Sequence, residues 1–180
     1  MYALLLAPGF EEVEAVTPVD FLRRAGVEVR FVGIGGRQLE GNHGIRLQAD
    51  TTLEELAEEP DGVIVPGGLP GATNVAASAP AMDLIRRLHA RGGLVAAICA
   101  APAVVLEPAG VLAGKRATCS PGFEQQLATA RFSRNRVVVD GNVVTSRGPG
   151  TAAEFALKLV ELIAGREKAL EIRRRTLQRN

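Results

Sequence analysis

The sequence predicts an α/β three-layer sandwich around a largely parallel sheet, and three observations carry that prediction. Apolar runs of strand length (Tyr2 to Ala7, Gly62 to Val65, Leu94 to Ile98) alternate with stretches of helical periodicity along the whole chain. Most of these runs lack polar alternation, as expected of strands covered on both faces. The two loops richest in chemistry, Gly67-Gly68 and the one holding Cys99, both follow such strands. That puts them together at the carboxyl edge of the sheet, where open parallel sheets bind ligands.

In chain order, Tyr2 to Ala7 reads as a central strand broken by Pro8-Gly9. Val13, Val16, Val19 and Leu22 then recur at helical spacing until Gly26. Pro18 cannot donate to the carbonyl four residues back, which predicts a kink or a restart with Thr17 as N-cap. Glu11 and Glu12 suit the positive end of that helix. Glu14, just past a strand end, is placed for chemistry as well.

Val27 to Val32 alternates like a strand, and Arg37 to Ala49 reads as a hairpin turning at Gly41-Asn42-His43-Gly44. His43 in such a turn is either solvated or at a site rim. Thr52 followed by Glu55 predicts a short capped helix ending before Pro60. The buried strand from Gly62 runs into Gly67 and Gly68, which read either as a plain turn or as N–H donors for a developing oxyanion. Pro80 to Ala90 is an amphipathic helix with His89 toward solvent.

Leu94 to Ile98 ends at Cys99, and Pro102 suits the first turn of a helix. Cys99 therefore sits at a strand-to-helix elbow, unless it is simply a small buried hydrophobe. Ala117 to Cys119 is a short strand leading to Ser120-Pro121-Gly122-Phe123 and a short helix to Leu127. Arg136 to Asp140 and Val143 to Ser146 form a hairpin across Gly141-Asn142. Thr151 is placed to cap a largely buried helix to Ala164, whose polar stripe is only Glu154, Lys158 and Glu161.

Length and composition are those of one ordinary globular domain: 180 residues, 47% hydrophobic, net charge +1. Residues 1–165 read as that domain. Residues 166–180, in which Arg166 to Arg179 holds six basic and two acidic residues, read as a basic terminal helix packed on it or extending from it. The near-neutral charge gives no argument for nucleic acid. No run is long enough to span a membrane and the first residues lack a basic leader, so a cytoplasmic location is expected. Cys99 and Cys119 do not make a disulfide framework, and His43 and His89 lie far apart in sequence and near no cysteine pair. Neither metal nor cofactor is expected.

Taken together, several segments resemble the ThiJ/PfpI superfamily, and within it the DJ-1 branch of parkinsonism-associated protein deglycases. They are Gly9-Phe10-Glu11-Glu12-Val13-Glu14, Pro18-Val19-Asp20, Arg23-Arg24-Ala25-Gly26, Val65-Pro66-Gly67-Gly68, Ala96 to Pro102 and Thr145 to Thr151. The resemblance implies a flavodoxin-like fold, a homodimer, Cys99 as nucleophile on a nucleophile elbow and Glu14 as its protonated partner. It also implies oxyanion donors at the Gly68 and Ala100 N–H groups, with Gly67, Ser120, His43 and Pro149 at the rim. The activity implied is cofactor-independent chemistry on reactive dicarbonyls such as glyoxal and methylglyoxal, or on their early adducts. A redox-sensing or chaperone role for an oxidisable Cys99 is the alternative, and an inert structural dimer the third reading.

The chain departs from the pattern of the family it resembles at several points. Ser120 stands where some have histidine, and Ala100 where the protease-like branch has one, which argues against peptidase chemistry. His43 stands where close relatives often carry arginine, and Cys119 is not a family nucleophile. Lowering the Cys99 thiol by about three units needs about 4 kcal/mol in favour of the thiolate. A helix N-terminus supplies at most about 2 kcal/mol. A second donor is therefore expected, and a protonated Glu14 fits.

Overall fold

The alternation of side chains along each central strand builds two cores. In the computed structural model, which describes residues 1–178, Ala3 and Leu5 of β1 (Tyr2–Leu6) enter one apolar cluster while Leu4 and Leu6 enter the other. Val63 and Val65 of β6 separate from Ile64 in the same way, and Val95 and Ala97 of β7 from Ala96 and Ile98. Strands that feed two cores must be apolar throughout, which is why their sequences carry no alternation.

After β1 come α1 (Glu12–Arg24), β2 (Val29–Gly33), β3 (Gln38–Glu40), β4 (Arg46–Gln48), β5 (Thr51–Thr52) and β6 (Gly62–Val65). They are followed by α2 (Gly71–Ala77), α3 (Ala79–Ala90), β7 (Leu94–Ile98), β8 (Arg116–Ala117), β9 (Arg131–Phe132), β10 (Val137–Asp140) and β11 (Val143–Ser146). The last elements are α4 (Ala152–Ala164) and α5 (Arg166–Arg175). The main sheet runs β10-β11-β7-β6-β1-β2-β5, parallel throughout except for the β10–β11 hairpin. Residues of α2 and α3 line one core and residues of α1, α4 and α5 the other. This is the three-layer sandwich predicted. Among the described residues no helix is long and apolar enough to cross a membrane.

Several local expectations are corrected. α1 is one helix through Pro18, not two, and Glu11 rather than Thr17 is its N-cap. Thr52 and Glu55 exchange their reciprocal bonds (3.3 Å each), yet they close a turn after β5 instead of opening a helix. His89 is half-buried, not a surface residue, and burial lowers its pKa. The strand expected at Ala117 to Cys119 is instead Arg116–Ala117, paired with β9 in a separate small sheet. Thr151 holds the N-cap position of α4 as expected, but its hydroxyl makes no cap bond to that helix and instead accepts from the N–H groups of Arg147 (3.2 Å) and Gly148 (3.1 Å). α5 ends at Arg175 and lies against α4 through Ala169 and Ile172, while residues 179 and 180 lie outside those described.

The short α2 escaped sequence reading because Gly71, Thr73 and Asn74 are weak helix formers. It is held instead by the loop after β1. Gly71 N–H donates to the Gly9 carbonyl (3.1 Å) and the Asn74 amide to that of Pro8 (2.9 Å).

Candidate active site

Three strand ends meet at the carboxyl edge. β1 leads through Gly9 into α1 and Glu14, β6 leads into Gly67-Gly68, and β7 leads into Cys99. Because β6 lies between β1 and β7, the three loops are neighbours by topology alone.

Cys99 adopts φ +66°, a left-handed conformation that side-chain-bearing residues seldom hold. Such a conformation costs about 1–3 kcal/mol and persists only where the surroundings fix it. Here they do: Cys99 N–H donates to the Ser146 carbonyl (3.0 Å), and its own carbonyl accepts from Ser120 N–H (2.8 Å). The chain then enters a five-residue π-helical turn, Pro102–Leu106, closed by Glu107 N–H on the Pro102 carbonyl (3.0 Å). The expected helix after the elbow is thus a short wide turn, which leaves less macrodipole for the sulfur than a full helix would supply. What reaches Sγ directly is the Ala100 N–H and the Ser120 hydroxyl, both of which favour the thiolate.

Glu14 is fully buried, and its Oε2 accepts from Gly67 N–H (2.8 Å). Its Oε1 has no partner among the described residues. Burial pushes this carboxyl up to about 7, against the lowering effects of the Gly67 N–H and the Cys99 side chain. Gly67 is a glycine for a steric reason. A Cβ there would stand 2.6 Å from Cys99 Cβ and 2.7 Å from Glu14 Oε2, so no side chain fits between the two groups. Gly68 turns with φ +86°. The N–H groups of Gly68 and Ala100 bond to no backbone carbonyl among the described residues.

The expected depressed thiol is corrected. Burial and then the ionised Glu14 push Cys99 up to about 11. A proton on Glu14 removes the second effect and makes the carboxyl a donor. A thiolate at Cys99 therefore requires the proton to be on Glu14, so the two groups titrate as a coupled pair.

Two residues earlier, Glu12 behaves in the opposite manner. Burial would raise it, but the His43 ring and the N–H groups of His43 and Ile45 hold its carboxyl below the usual range. His43 is raised in turn by Glu12 and then Glu11. Of the expected rim residues, Ser120 lies directly at the thiol. His43 lies at the α1 N-terminus against Glu11 and Glu12, and Pro149 is exposed in the loop after β11. Cys119 is sealed in the core on the face opposite the one Cys99 packs against. Sequence reasoning missed the Ser146 carbonyl that pins the elbow, a main-chain atom for which no residue-type signal exists.

A mainly parallel sheet with helices on both faces and a cysteine elbow beside a buried carboxylic acid defines a class of α/β cysteine proteins. The chain belongs to the DJ-1/PfpI family, whose profile matches residues 2–162. It is 44% identical over 173 residues to Protein dj-1beta of Drosophila melanogaster, spanning 94% of this chain and 92% of that protein. It is also 36% identical over 171 residues to the Glutathione-independent glyoxalase DJR-1.2 of Caenorhabditis elegans, spanning 92% and 90%. The crystal structure of Drosophila melanogaster DJ-1beta superposes with a TM-score of 0.95 at 41% identity, covering 99% of this chain and 98% of that one.

Proposed function

We propose that this chain is a cofactor-independent enzyme acting on reactive dicarbonyls such as glyoxal and methylglyoxal, or on their early adducts, with Cys99 as nucleophile and Glu14 as acid and base. The observation that carries the reading is the pairing of a strained cysteine with a fully buried carboxyl titrating at about 7. The relative named as a glutathione-independent glyoxalase supports the substrate class.

In this mechanism Glu14 takes the thiol proton as Sγ attacks the aldehyde carbon, and the new oxyanion meets the Gly68 and Ala100 N–H groups. Protonation of that oxygen gives a hemithioacetal. Glu14 then moves a proton from this carbon to the adjacent carbonyl carbon by way of an enediol, leaving a thioester of the 2-hydroxy acid. Water cleaves the thioester, restoring the thiol and releasing the acid. A carboxyl at about 7 is half-protonated near neutral pH, so it serves both directions of transfer. Ser120 supplies no base at the position where some relatives carry histidine, and a slow turnover follows.

The test is lactate formation from methylglyoxal without glutathione. Wild type forms lactate, Cys99→Ser does not, and metal chelators change nothing. Absence of dicarbonyl consumption, together with easy oxidation of Cys99 to sulfinate by peroxide, would favour the redox-sensing role instead.

The reading includes a homodimer. On α1, Val13 and Val16 lie one turn apart and are 47% and 42% exposed, and Ile45 of the adjoining hairpin is 55% exposed. This apolar face, next to the proposed site, is the natural two-fold contact. Sedimentation at micromolar concentration is expected to give twice 19.0 kDa, and a Val13→Asp/Val16→Asp variant is expected to give the monomer.

A further inference from the structure

Glu11, Glu12 and His43 have no part in the reaction above, yet their donor atoms all lie within 4.8 Å of one another. His43 Nδ1 is 3.0 Å from Glu12 Oε2 and 3.3 Å from Glu11 Oε2. A tetrahedral zinc ion, bonded at about 2.1 Å, requires donors about 3.4 Å apart, so both carboxylates already stand within about half an ångström of that spacing from the imidazole.

Two further features set this cluster apart from an ordinary surface pairing. Both carboxylates are largely withdrawn from solvent, with side chains 12% and 6% exposed, and neither meets any lysine or arginine among the described residues. The two carboxylates thus share one imidazole, and the main-chain N–H groups of His43 and Ile45 are further donors to Glu12 alone. Glu12 is also oriented in the manner of a metal ligand. Its Oε1 accepts from the N–H of His43 (2.8 Å) and of Ile45 (3.3 Å), which leaves Oε2 turned to the imidazole. Gly41 makes room for this, since a Cβ there would overlap the Glu12 carboxylate.

We propose that Glu11, Glu12 and His43 form a binding site for a divalent transition-metal ion of the zinc class, with one coordination position left for water. The ion clasps the β3–β4 hairpin to the N-terminus of α1. Residue spacing does not reveal it, because Glu12 and His43 are 31 positions apart and the hairpin brings them together.

The test uses the full chain, reduced and free of chelator, titrated with zinc chloride and separately with cobalt(II) chloride. Wild type and Cys99→Ser are expected to bind one ion per chain with equal affinity. His43→Ala and Glu11→Gln are expected to bind at least about tenfold more weakly. Both positions leave the Glu12 backbone bonds in place, and circular dichroism checks the fold. The cobalt spectrum should show tetrahedral visible bands without a thiolate charge-transfer band. Wild-type affinity in both His43→Ala and Glu11→Gln would overturn the proposal. So would a thiolate band that vanishes in Cys99→Ser, or no binding by wild type.

Discussion

Cys99 and Cys119 are both free thiols, and burial pushes both up to about 11. Their resting acidity does not distinguish them; what surrounds each sulfur does. Cys99 is half-buried, fixed at φ +66°, reached by the Ala100 N–H and the Ser120 hydroxyl, and next to a carboxyl that can take its proton. Cys119 has no exposure and packs in the core; the Glu124 charge acts on it only at a distance, and no carboxylate hydrogen-bonds it among the described residues. Reactivity depends on where the proton can go and what meets the charge that remains. The two thiols also pack on opposite faces of the sheet, so no disulfide between them is expected in the folded protein.

The largest test of that contrast is turnover. Cys99→Ser should reduce glutathione-independent lactate formation to background, whereas Cys119→Ser should keep at least about half of it, losing only what a small core change costs. Equal loss in both variants would remove the distinction.

The next effect concerns the carboxyl beside Cys99. Glu14 binds its proton more tightly folded than unfolded, since burial raises it from the ordinary 4.5 to about 7. Its contribution to stability is therefore complete below about pH 4.5 and is lost as pH rises through about 7, by about 3 kcal/mol in all. Denaturant titrations at pH 5 and pH 8 should show wild type losing stability that Glu14→Gln does not lose. The same variant is expected to lose turnover, because an amide donates to Sγ but cannot exchange a proton. A Glu14→Gln protein as active as wild type would make Glu14 structural.

Alkylation gives a smaller separation. Iodoacetamide near neutral pH should label Cys99 at least about tenfold faster than Cys119, read by peptide mass spectrometry. Denaturation should bring the two rates together. Smallest is Ser120→Ala, which removes one hydrogen bond to the sulfur. At about 0.5–1.5 kcal/mol per bond, a two- to tenfold slower alkylation of Cys99 and no change at Cys119 are expected.

The sequence by itself determined the layered α/β class, since strands apolar on both sides can only lie in the middle of a sandwich. It also located Cys99, Gly67-Gly68 and Glu14 at one edge, because each follows a buried parallel strand. Family membership was legible for the same reason: those turns are dictated by residue type at fixed short spacing. Only the tertiary structure decided the rest. Local propensity favoured a helix at Thr52 and a break at Pro18, and packing overrode both. The carbonyl of Ser146 that pins the elbow leaves no residue-type mark in a sequence. The protonation of the Glu14–Cys99 pair depends on how deeply the carboxyl is buried, and the meeting of His43 with Glu11 and Glu12 depends on where a hairpin folds back. Burial and long-range contact are properties of the assembled chain, and no local stretch of sequence contains them.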